Sequence, residues 1–179
     1  MLMRPAAEWR VIAAEREDVG SLYRNYIGIL AAVPGVSILL GLAYAGGRYL
    51  GASAITTALM AVIVSYTIAL ASTIATAVVI EKLAPSFRAD ADMTEALKLV
   101  AYASTPVWLA GLFSMSITLA PLVVLGWLWG GYLFYVGIPL VLKTPREQVV
   151  PFMLVSALAV IVVNVVLRAL VSAVSIPYY

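Results

Sequence analysis

Few side chains in this sequence could do chemistry, and those few stand at the edges of apolar runs. Glu81, Asp90, Asp92 and Glu95 offer carboxylate oxygens of the kind a divalent cation takes. The same residues serve equally as a solvated charged loop, so no metal is expected. Asn164 and Arg168 stand four apart and so share one helical face. Arg168 lies close enough to the end of its run for the guanidinium to snorkel to headgroups; its other option is a contact with a helix C-terminus or a polar groove. Ser65, Thr67, Ser72, Thr73 and Thr76 give another run a series of hydroxyls that bond back to their own helix or across to a neighbour. Neither His nor Cys occurs in the 179 residues, which removes thiolate and imidazole ligands, thiol nucleophiles and the usual near-neutral acid–base group. A hydrolase needs a nucleophile beside a base, and no acid falls at mid-depth in an apolar run. The expectation is a protein that is not an enzyme and holds no cofactor.

The elements that must position these residues are helices in lipid. Apolar residues make up 64% of the chain and charged ones 11%, against about 45–50% and about 25% in soluble domains. A crossing of the roughly 30 Å hydrocarbon core takes about 20 apolar residues, and five runs qualify: residues 23–44, 54–80, 94–115, 121–142 and 150–174. The fold class expected is an all-α integral membrane protein, a five-helix transmembrane bundle at 23–179 behind a short cytoplasmic leader at 1–22. The leader lacks the apolar core and cleavage site of a signal peptide, so it is expected to be retained and to face water. Its Trp9, Ile12 and Val19 amid charge suit an amphipathic helix on the membrane surface, or one docking a cytosolic partner.

Pro34 and Gly35 sit inside the first run, where a kink is expected in place of a break. Asp92 followed by Glu95 reads as an acidic variant of the capping box opening the third helix. Pro121 suits the first turn of the fourth. One set of helix ends carries Arg4, Arg10, Arg16, Arg24, Lys82, Arg88, Lys98, Lys143 and Arg146; the other carries only Arg48 and Arg168. Basic residues are retained on the cytoplasmic side, so a multi-pass protein of the cell membrane is expected, with the N-terminus cytoplasmic and the C-terminus opposite. No basic stripe with stacking aromatics points to nucleic acid.

On the fourth run Gly126 and Gly130 stand four apart, with Gly131 and Gly137 beyond. Small residues at this spacing let helix backbones approach closely, either inside the bundle or across a dimer seam. Trp127, Trp129, Tyr132 and Tyr135 surround them and are too many for one interfacial belt, so some are expected to point inward.

The run Leu97 to Gly111 (Leu-Lys-Leu-Val-Ala-Tyr-Ala-Ser-Thr-Pro-Val-Trp-Leu-Ala-Gly), then Pro121-Leu122, then Gly130-Gly131-Tyr132-Leu133-Phe134-Tyr135-Val136-Gly137-Ile138-Pro139, and the closing Lys143-Thr144-Pro145, resemble the Ypt-interacting-protein (Yip) family in its short prokaryotic form. The opening Trp9-Arg10-Val11-Ile12 with Glu15, and Tyr26-Ile27, resemble the start of that domain. The resemblance implies five spans with a cytosolic N-terminus. It also singles out Tyr102, Thr105, Pro106 and Trp108 on the third helix. Eukaryotic members of the family carry a long cytosolic leader and are linked to prenylated Rab/Ypt GTPases and vesicle traffic. Pro106 frees the carbonyl of Tyr102, which Thr105 or another hydroxyl is expected to take up.

Two functions fit these residues. One is a scaffold or adaptor joining itself or other membrane proteins through the third and fourth helices, and a cytosolic protein through the leader and the 81–98 loop. The other is a small transporter or lipid-handling protein with a cavity between helices. Membrane lipids are partners in either case.

Overall fold

The computed structural model describes residues 5–15, 17–44 and 52–174, with 44, 52–54 and 171–174 described by backbone alone. Arg4, Arg16, Arg48 and the tail Ser175 to Tyr179 lie outside the described residues. Among those described, every regular element is helical. A short helix α1 (Pro5–Ala14) precedes five helices long and apolar enough to cross a membrane: α2 (Val19–Ala43), α3 (Ile55–Phe87), α4 (Met93–Met115), α5 (Ala120–Val141) and α6 (Arg146–Leu170).

Helix α4 is the hub. Its apolar window is 61% buried, whereas those of the other four are between 17% and 28% buried. It packs most extensively on α5 and also on α3; α2 lies against α3 and the end of α4, and α6 against α3 with a lighter contact to α5. This explains why α4 is the least hydropathic of the five at 1.3 and α6 the most at 2.7: a helix surrounded by protein is solvated by its neighbours, while a peripheral helix must satisfy lipid.

The helix ends follow local chemistry more than hydropathy. Asp18 caps α2, its carboxylate accepting from Gly20 N at 3.0 Å, so the helix begins ahead of residue 23, the start expected from the apolar run. Helix α3 runs on past Ile80 through Glu81 and Lys82, because an α-helix does not stop where hydrocarbon does; it closes where Arg88 turns left-handed at φ 55°. The capping box of α4 is formed, with Asp92 accepting from Glu95 N at 2.8 Å and Glu95 accepting from Asp92 N at 3.3 Å.

In α2 the helical ladder is interrupted at Ala31 and Ala32, not merely kinked at Pro34. Pro34 has no N–H for the carbonyl of Leu30 and its ring crowds that turn, so the disturbance falls one turn ahead of the ring, and the helix resumes at Val33. A π-helical turn at Tyr23–Ile27 stands nearer the start of the same helix.

Candidate functional site

The glycine face of α5 is filled from within the chain. A Cβ on Gly126 would lie 2.7 Å from the carbonyl oxygen of Pro106, and one on Gly130 would lie 2.9 Å from that of Ala103. Only hydrogen fits at either position, and α4 presents backbone to both. Gly137 serves the leader in the same way: a Cβ there would meet the Trp9 ring at 2.8 Å and Leu99 at 2.6 Å. Gly131 faces elsewhere, toward Met153 on α6, where a Cβ would make an ordinary contact at 3.8 Å with the Met153 methyl.

Because glycines take the inner side of α5, its aromatics go outward. Trp127, Trp129, Tyr132 and Tyr135 are all exposed on the bundle surface, Trp129 and Tyr132 with ring centroids 5.3 Å apart. None of the four fills the interior as expected, although Trp127 also lines a groove between helices. Trp108, on α4, is the tryptophan of this region that is buried.

The leader does not simply face water either. Trp9 and Ile12 are buried among α4 and α5, while Val11 on the opposite side is exposed. Trp9 meets Tyr102 edge to face at 6.2 Å. Lys98, expected only as one charge in the sidedness count, is 4% exposed and donates to the carbonyls of Ile12, at 3.0 Å, and Glu15. Its ammonium thus sits at the C-terminal end of α1, where free carbonyls and the helix dipole favour a cation.

Tyr102, Thr105 and Pro106 come together with a residue the sequence did not single out for contact, Tyr26. Its hydroxyl and that of Thr105 are 2.6 Å apart, and its ring lies 4.4 Å from that of Tyr102. The Thr105 hydroxyl bonds the carbonyl of Ala101 at 3.2 Å, not the freed carbonyl of Tyr102 as expected. A threonine reaches the carbonyl three or four residues back, and here the latter is taken.

On the far side of α4 a cavity of about 710 Å³ opens between α3, α4, α5 and α6, with Pro34 of α2 at its edge. Its walls are mainly apolar. Ser65, Ser72, Thr73 and Thr76 line it from α3, Trp108 from α4, Trp127, Gly130 and Gly131 from α5, and Asn164 and Arg168 from α6. Most of the wall hydroxyls turn to protein: Ser65 bonds Val62 O, Thr73 bonds Ala69 O, and Ser72 donates to Asn164 Oδ1 at 3.3 Å. Asn164 Nδ2 donates to Val160 O at 2.9 Å, which fixes its carboxamide. Trp127, 60% exposed, and Ile161, 59% exposed, both line the cavity, so it meets the outside of the bundle along α5 and α6. The space exists because α6 leans on α3 and only lightly on α5. Among the described residues no three acids gather as a metal site, and Glu81, Asp90, Asp92 and Glu95 stand apart from the cavity wall.

The model of the Yip1 domain family matches residues 1–167 of this chain. Among curated proteins the chain is similar to the inner membrane protein YohC of Escherichia coli K12, with 27% identity over 163 residues, covering 85% of this chain and 82% of that protein. The inner membrane protein YohC of Escherichia coli O6:H1 (strain CFT073) matches to the same extent. No solved structure matches.

Proposed function

The chain belongs to the Yip1 domain family and is a multi-span membrane protein, and from that premise we propose that it binds a lipid-sized apolar molecule between α3, α4, α5 and α6 without transforming it. The cavity carries this reading. Its volume of about 710 Å³ falls within the roughly 300–1,000 Å³ usual for ligand sites, its walls are mainly apolar, and it meets the bundle surface where membrane lipid would stand. An absence of transformation fits the residues: among the described residues Arg168 is the sole ionisable group on the wall, and a wall without carboxylate, His or Cys lacks a base for its hydroxyls.

A scaffold working through the glycine face has less support, since Gly126 and Gly130 are already occupied by α4. Docking of a cytosolic protein on the leader would have to use its charged side, because Trp9 and Ile12 are buried in the bundle. The basic residues at one set of helix ends support a cytoplasmic N-terminus, and YohC, an inner membrane protein, suggests the same membrane for this chain.

Native mass spectrometry of the protein released from lipid nanodiscs tests the proposal. Wild type is expected to retain one lipid-sized molecule per chain. Ala157→Phe, which fills the cavity, loses it, and Leu158→Phe, one residue away on the exposed side of α6, keeps it. A bare wild-type chain, or an Ala157→Phe variant that still holds its ligand, overturns the reading; oligomers that vanish in Gly126→Leu would favour the scaffold instead.

A further inference from the structure

Within this cavity we infer an anionic membrane lipid as the occupant, its headgroup phosphate held by Arg168 and one acyl chain lying along the apolar wall. The inference rests on the ligand-binding reading above and adds the charge of the ligand to it.

Arg168 lines the cavity six residues before the helix of α6 ends at Val174. The structure shows no hydrogen bond or ion pair to its guanidinium among the described residues. A cation within a helix of mean hydropathy 2.7 is costly unless it reaches the headgroup level or a counter-charge. Among the described residues the wall supplies no counter-charge, since no Asp or Glu lines the cavity. A phosphate brought in by the ligand would meet the fork of guanidinium donors with two parallel hydrogen bonds.

Asn164 lies one turn below, about 6 Å along the helix axis. Its Oδ1 and one amide hydrogen are committed to Ser72 and Val160, which leaves the second amide hydrogen for a glycerol or ester oxygen beneath the phosphate. Farther along, Phe134, Met153 and Val100 form apolar wall without a charge, suited to hydrocarbon.

The same wall discriminates between headgroups. A zwitterionic lipid carries an ammonium as well as a phosphate, and this cavity has a donor for the phosphate but no carboxylate for the ammonium. A lipid with net negative charge leaves nothing unpaired. One basic residue at a membrane surface favours anionic lipid by about fivefold, and an enrichment of about that size is expected here.

The full chain is reconstituted in nanodiscs of equal phosphatidylglycerol and phosphatidylethanolamine, and the lipid that stays bound is identified by native mass spectrometry. Wild type is expected to hold phosphatidylglycerol in about fivefold excess. Arg168→Lys keeps most of the excess, and Arg168→Gln still binds one lipid per chain but takes the two kinds equally. Equal retention by wild type overturns the inference, whether or not the Gln variant folds, and so does an excess that survives in Arg168→Gln. A wild-type chain that holds no lipid defeats the ligand-binding reading itself. Bound lipid without charge preference defeats only the headgroup assignment.

Discussion

Lys98 shows how much one side chain can change meaning between sequence and structure. Counted along the chain it is a charge at a helix end; in three dimensions its ammonium closes the open carbonyl end of α1 from a position 4% exposed. Replacing it with Met keeps the apolar stem and removes the donors, leaving the carbonyls of Ile12 and Glu15 without this partner. A buried polar group left unpaired costs about 1–3 kcal/mol. Lys98→Met is therefore expected to lower the thermal midpoint in detergent and to speed proteolysis within residues 5–15, with the helical content of α2 to α6 unchanged. The Tyr26–Thr105 bond is a smaller effect. Hydrogen bonds between membrane helices average about 0.6 kcal/mol with a maximum of about 1.7. Thr105→Val and Tyr26→Phe should each destabilise by about that amount. The double variant should be no worse than the poorer single one, because both remove the same 2.6 Å contact; additive losses in a denaturation series would show that the two hydroxyls act independently.

Helix α5 carries the sharpest prediction about an element. Gly126→Leu and Gly130→Leu drive side chains into the backbone of α4, and overpacking of a filled interface costs about 1–3 kcal/mol or more. Gly131→Leu, which meets only the end of the flexible Met153 side chain at the cavity wall, should be less destabilising than either. If unfolding midpoints of all three variants matched wild type, α4 and α5 would not be packed as described. Five apolar runs and a capping box were legible in the sequence because length, hydropathy and caps are local properties. The outward turn of Trp127, Trp129, Tyr132 and Tyr135 was not, since which side of α5 is inner depends on where α4 lays its carbonyls. The docking of Trp9 was half legible: its spacing with Ile12 marked an apolar face, but nothing local says that Gly137 leaves room for the ring. The cavity was the least legible feature. Asn164 and Arg168 were visible as one helical face, and Ser72 as one hydroxyl in a series, but the gap between them arises from how α6 leans on α3.

For the whole molecule the quantity that matters is sidedness, because it decides which leaflet the cavity serves. Helices α4 and α6 run in the same direction across a five-span bundle, so Ile117, in the turn after α4, and Arg168, near the end of α6, belong to one side. Ser86, in the closing turn of α3, belongs to the other. By the charge asymmetry Ser86 is expected in the cytoplasm. With no native Cys in the chain, Ile117→Cys and Ser86→Cys are unique labelling sites, and both residues are exposed, Ile117 at 94%. In intact cells a membrane-impermeant maleimide should label Ile117→Cys alone, and permeabilised cells should label both. The reverse pattern would invert the bundle, and equal labelling in intact cells would mean that α4 does not cross the membrane. Under the expected pattern the guanidinium of Arg168 lies toward the leaflet facing away from the cytoplasm. If the proposed lipid enters along α5 and α6 it then comes from that leaflet, and anionic lipid placed only in the cytoplasmic leaflet should not reach the cavity.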